Sequence, residues 1–115
     1  MKHNVKIAEI VQDTIWIAVA DGKKVYDAIR PLLEKGDEVS LSFAGRDVVV
    51  TPFISAAIGD FYRGENRIGD VDSRLHFEDI DGDVESKINR VVANAKRPKE
   101  LVEAYGEILE REVNS

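Results

Sequence analysis

The sequence predicts an α/β domain, a mixed sheet of about four or five strands packed against helices. Three observations carry this. Glu38 to Phe43 alternates, with Val39, Leu41 and Phe43 on one side and Ser40 and Ser42 on the other, the two-residue period of a half-buried strand. Val25, Ile29, Leu32 and Leu33, and later Val84, Ile88, Val91, Val92 and Ala95, recur at helical spacing. Thr51-Pro52, between a valine-rich stretch and an apolar run, marks a helix start, since threonine suits the cap and proline the first turn.

The elements follow in order. Val5, Ile7 and Glu9-Ile10 read as a first strand, Gln12-Asp13 as a tight turn, and Thr14 to Val19 as a second strand. Ile15, Ile17 and Val19 share one face of it and Trp16 takes the other, and the pair predicts a β-hairpin. Trp16 is either core or a contact residue. Asp21 is expected to cap a helix from Gly22, which Pro31 should kink or interrupt and Gly36 ends. After the alternating strand, Ala44-Gly45-Arg46-Asp47 forms a turn and Val48-Val49-Val50 a short extended piece. Phe53, Ile54, Ala57, Ile58 and Phe61 make the next helix apolar nearly all round, hence buried. Arg63 to Asp72 reads as a polar loop, the segment expected to move most. Arg74 to Ile80 is a strand, and Asp81 or Asp83 caps the helix after it. A last helix over about 98–113 shows an apolar stripe of Leu101, Val102, Tyr105, Ile108, Leu109 and Val113. That stripe is expected to fold back on the core or to dock on a second copy or a partner.

At 115 residues the chain suits one domain, with the core over about 5–97. Its net charge of −6 and scattered basic residues argue against nucleic acid. The absence of cysteine excludes disulfides, thiolate metal sites and a cysteine nucleophile. No apolar run approaches the roughly 20 residues of a membrane span, and the start lacks the apolar core of a signal peptide. A cytoplasmic protein is the expectation.

Catalytic groups are sparse. His3 sits near the terminus and His76 stands alone on a strand, so no triad assembles from sequence. Asp79, Asp81 and Asp83 open with calcium-loop spacing, but Gly82 precedes the third acid and Arg90 stands where the closing glutamate belongs. Acids at a helix start are better read as complements to its dipole. Asp21-Gly22-Lys23-Lys24 lacks the glycines and the Lys-Ser/Thr ending of a phosphate loop. No cofactor and no metal is expected.

The stretch Val39-Ser40-Leu41-Ser42-Phe43-Ala44-Gly45, followed by Val48-Val49-Val50-Thr51-Pro52-Phe53-Ile54-Ser55-Ala56-Ala57-Ile58-Gly59, resembles the STAS-like domain family of unknown function (DUF4325). Asp21-Gly22, Val25 and Ile29 to Gly36 fit its earlier helix. Arg74 to Phe77 and Val91 to Lys96 fit its later strand and helix, so the resemblance covers roughly 5–97. It implies a STAS-like mixed sheet and a regulatory, non-catalytic module that binds another protein. In the wider group, anti-sigma factor antagonists carry a serine at the corresponding helix start. A partner kinase of the histidine-kinase ATPase fold phosphorylates it. Here Val50-Thr51-Pro52-Phe53 replaces the Asp-Ser-Ser-Gly turn, and Ser42 stands where aspartate is more usual. The resemblance therefore points to Thr51 or Ser55 as phospho-acceptor, and to Gly45, Arg46, Thr51, Pro52 and Phe53 as the partner-binding surface. Thr51 read as a plain N-cap is the competing expectation. A small ligand- or metal-binding protein or enzyme using the acidic 79–85 segment is the alternative function.

Overall fold

His3 and Val5 are the half-buried residues of a five-residue strand, β1 (Lys2–Lys6), in the computed structural model, which describes residues 1–96. The strand runs straight into a short helix, α1 (Ile7–Val11), which a left-handed Gln12 ends (φ 58°). Strand β2 (Ile15–Trp16) follows, then helix α2 (Val19–Glu34) and strand β3 (Glu38–Ser42). Beyond the turn lie β4 (Val48–Val49) and α3 (Thr51–Ile58). Two short 3-10 turns and α4 (Val71–Arg74) lead to β5 (Leu75–Glu78) and the long α5 (Gly82–Lys96).

All pairing among the described residues is parallel. One sheet has the order β1-β3-β5 and the other joins β2 to β4. The expected hairpin is therefore wrong. The chain after β1 coils into α1 instead of returning, and β2 pairs with a strand more than thirty residues later, Ile15 beside Val48 and Trp16 beside Val49. Parallel strands need a crossover, and α2 with β3 supplies it.

Strand β3 sits in the centre, with all but Glu38 buried. Val39 and Leu41 join Ile29, Leu33, Ile54, Ile58, Val84 and Ile88 in one core. Helices α2 and α3 pack tightly against each other at Gly22. A β-carbon there would meet Phe53 O at 2.5 Å and the Ala56 Cβ at 2.9 Å. Only glycine permits that contact.

Three boundaries differ from expectation. Helix α2 begins at Val19, so Asp21 lies inside its first turn, where a carboxylate meets the dipole, and does not cap. The helix also runs through Pro31 to Glu34. Helix α3 begins at Thr51 itself. Val50, with extended backbone, holds the cap position, no side-chain cap bond forms, and proline occupies the first turn. The cap reading of Thr51 is therefore incorrect. Asp81 does cap α5 as expected, its Oδ1 accepting the Val84 N–H at 2.9 Å.

The Arg63 to Asp72 stretch is tied down. Ile68 and Val71 are buried, and Ile68 N–H donates to Phe61 O at 2.9 Å. Arg74 donates to Gly69 O and Leu33 O, both at 2.6 Å. Among the described residues no helix is long and apolar enough to cross a membrane. The last helix over 98–113 and a dimer through it lie outside the described residues.

Candidate functional site

Strands β1, β3 and β5 run in one direction and finish level, Lys6 beside Ser42 beside Glu78. The turn 44–47, β4, the start of α3 and the start of α5 gather beyond this carboxyl edge. In open α/β sheets that edge is where loops present function.

A polar latch holds the edge together. Arg46 Nη1 donates to Phe43 O at 2.9 Å and to Asp79 O at 2.8 Å, and Nη2 reaches Asp81 Oδ2 at 3.1 Å. Ser42 Oγ donates to Asp79 Oδ2 at 2.5 Å and accepts the Ala44 N–H at 3.2 Å. Asp79 is one of the few non-glycine residues in the left-handed region, φ 57°, a conformation that surrounding bonds must hold. The Val84 N–H, with Arg46 beside it, keeps the Asp81 carboxyl below the usual range. The acidic segment is thereby occupied. Asp79 pairs with Ser42, Asp81 caps α5 and meets Arg46, and Asp83 pairs with Lys87 at 2.9 Å. No cluster able to hold a metal ion occurs among the described residues.

Beside the latch lies an apolar surface. Trp16 is fully buried, 5.8 Å from the Phe53 ring and 6.0 Å from that of Phe43, and its Nε1 donates to Asp13 O at 2.7 Å. The opposite face of the same segment points to water. Ile15, Ile17 and Val19 are 47%, 55% and 57% exposed, and Val48, beside Ile15 on β4, is 45% exposed. Apart from Met1 these are the large apolar side chains exposed among the described residues. A solvent-facing apolar cluster on a rigid base is the usual signature of a contact surface. The sequence carried one signal for it, the alternation that sets Ile15 and Ile17 opposite Trp16. Which face turned inward depended on the tryptophan, the larger apolar group.

The residues expected to form the site separate into four kinds. Gly45 and Pro52 are exposed and Thr51 is half-buried, all at the edge. Arg46 is turned inward as the latch, its side chain 17% exposed. Phe53 is fully buried beneath Trp16, so it supports the surface from below and does not face a partner. Ser55 is half-buried one turn further into α3. Lys87, which sequence reasoning did not single out, donates Nζ to Val49 O at 3.0 Å and so places a cation two residues before Thr51.

The histidines lie elsewhere. His3 Nε2 contacts Asp37 Oδ2 at 2.9 Å, a bond that lowers the Asp37 pKa. His76, beside the buried Ser40 on the neighbouring strand, stands 3.8 Å from Glu38. A shallow groove of about 570 Å³ runs between β5 and α5, floored by Leu75, Phe77, Ile88 and Val92.

A family model for a STAS-like domain of unknown function (DUF4325) matches residues 21–85, which is α2 through the start of α5. No curated protein and no solved structure matches the chain. The matched span is more than half of the chain and contains the central strand, the turn, α3 and the latch. The chain belongs to the STAS-like domain family of unknown function (DUF4325).

Proposed function

We propose that the chain is a regulatory protein-binding module whose partner docks on the carboxyl edge of the fold, over Ile15, Ile17, Val19, Val48, Gly45 and Pro52. The observation that carries this reading is the exposed apolar cluster on a base fixed by Trp16 and Phe53. Burying four such side chains contributes on the order of 25 cal/mol per Å² of apolar area removed from water. The latch keeps the adjoining turn in one conformation, which reduces the ordering cost of binding.

The family adds a finer reading, in which the partner is an ATP-binding, kinase-like protein and Thr51 is its phospho-acceptor. Two features support it. Thr51 is not spent as a cap, and the α3 amides with the nearby Lys87 ammonium favour an added phosphate. The same charge would oppose an apolar contact at Pro52 and Val48, so phosphorylation would release the partner.

Co-purification from the source cell, with and without ATP, tests both. The expected result is a stoichiometric partner that Val48→Glu loses while its melting temperature stays unchanged. A partner kept by Val48→Glu, or none with the wild type, refutes the docking reading. With partner and ATP, one phosphate on wild type and none on Thr51→Ala supports the switch. Phosphate on neither Thr51 nor Ser55 removes the switch and leaves simple binding.

A further inference from the structure

Strand β2 is an edge strand whose outer side is unpaired among the described residues. In the β2–β4 ladder, Thr14 O accepts the Val48 N–H at 3.3 Å and Trp16 O accepts the Val50 N–H at 3.2 Å. Backbone direction alternates along a strand, so the main-chain groups of Ile15 and Ile17 face away from β4. The Asp13 carboxylate takes the Ile15 N–H at 3.1 Å, and no hydrogen bond outside the ladder reaches Ile15 O or Ile17 N–H among the described residues. Natural proteins blunt such an edge with lysine, proline or a cover. Here it carries one exposed isoleucine, Ile15, with a second, Ile17, directly after it.

Two acids stand where β2 and β4 begin. Asp13 and Asp47 are exposed at the same end of the β2–β4 pair, where the Asp47 N–H donates to Thr14 O, the residue after Asp13, at 2.7 Å. Neither takes part in an ion pair among the described residues. A partner strand is therefore favoured if it carries lysine or arginine beside its apolar residues.

We propose that the partner engages this surface by strand addition, laying an extended segment with alternating apolar residues and a basic flank along β2. Main-chain bonds to Ile15 O and Ile17 N–H set the register. Ile15 and Ile17 receive alternate side chains, and Asp13 with Asp47 receives the basic flank. The proposal rests on the docking reading above and specifies how its partner is held.

The test is a selection of random twelve-residue peptides displayed on phage against the full chain. Enriched peptides are then synthesised and titrated while the fluorescence of Trp16, the one tryptophan, is followed. The expected peptides alternate apolar residues and carry Lys or Arg at one end. Ile17→Glu weakens them about tenfold. Asp47→Lys removes the preference for a basic end. N-methylation of one alternate set of peptide amides abolishes binding, while methylation of the other set leaves it intact, because one peptide edge meets β2. Peptides insensitive to Ile17→Glu, or equally sensitive to both methylation sets, overturn strand addition. So does failure to enrich any peptide, or a wild-type dimer by sedimentation that Ile17→Glu dissociates, since a second copy would then hold the edge. A native partner still lost by Val48→Glu in any of those cases keeps the docking reading and discards only the strand.

Discussion

The two sheets of this fold are built alike and expose their apolar residues differently. The β1-β3-β5 sheet has its central strand buried, and Val39 and Leu41 sit in the core with Phe43 beyond the strand's end. The two-residue β2–β4 pair buries one side chain from each strand, Trp16 and Val49, and turns Ile15 and Val48 outward. The contrast teaches how a small domain divides its apolar residues. Those in the large sheet stabilise it, whereas those on the outer face of the small pair add little to stability and remain available for contact.

Substitution at the end of β2 and at the residue after it breaks the comparison most sharply. Trp16→Ala should destabilise by about 3–5 kcal/mol, because a large buried ring leaves a cavity. Its neighbour Ile17→Ala should stay within about 0.5 kcal/mol, as an exposed position does. Urea midpoints of the two variants measure both. A costly Ile17→Ala would mean that the outer face is covered within the chain.

Gly22→Ala tests the support beneath the surface. Alanine adds roughly 1 kcal/mol of helix propensity, yet the Cβ would stand 2.5 Å from Phe53 O. The steric term should win, with a loss of about 3 kcal/mol as α2 and α3 are forced apart. A neutral or stabilised variant by thermal melting would contradict the close packing.

Arg46→Ala removes three hydrogen-bonded contacts from the latch. Loss of charge-assisted bonds to a half-buried turn predicts about 2 kcal/mol. Amide exchange should rise over 44–47 and 79–81 while the core strands stay protected. Uniform loss of protection would show that the latch belongs to the core and not to the edge.

Acid provides a gentler probe of the same latch. The Asp81 pKa is lowered by the Val84 N–H and by Arg46, and that of Asp37 by His3. Both folded values lie below the unfolded one. Their stabilisation is therefore present above the ordinary aspartate value of about 3.9 and is lost as pH falls through the folded values. Melting curves of Asp81→Asn should show less acid dependence below that point than wild type. An identical slope would remove Asp81 from the account.

The smallest effect is expected at the helix start. Thr51→Ala should change stability by less than about 0.5 kcal/mol, since the hydroxyl caps nothing. A cap would cost about 1 kcal/mol. Chemical denaturation separates the two.

Much of this was legible in the sequence where the signal was local. The strand through Val39 and Leu41, the stripe from Val84 to Ala95 and the Asp81 cap each depend on neighbouring residues, and each appears in place, but Ser40 and Ser42 are buried too, so the strand is covered on both faces and not half-buried as its alternation suggested. Pairing was not legible, because the choice between a hairpin and a parallel partner is made by residues far apart in the chain. Ile7, Ile10 and Val11 fit a short helix as well as a strand, and the left-handed Gln12 sends the chain onward instead of back. The Thr51 boundary slipped by one residue because Val50 remains extended after β4, which puts the threonine inside the helix. The latch was hidden for the same reason as the pairing. Nothing near Ser42 or Arg46 in sequence announces Asp79 or Asp81, 37 and 35 positions on.

Hydrogen–deuterium exchange of the chain alone and with its co-purified partner tests the central claim most directly. Added protection is expected only over 14–19 and 45–52, the outer face of β2–β4 and the start of α3. Protection gained instead along Lys2–Lys6 and Leu75–Glu78, or nowhere, would contradict it.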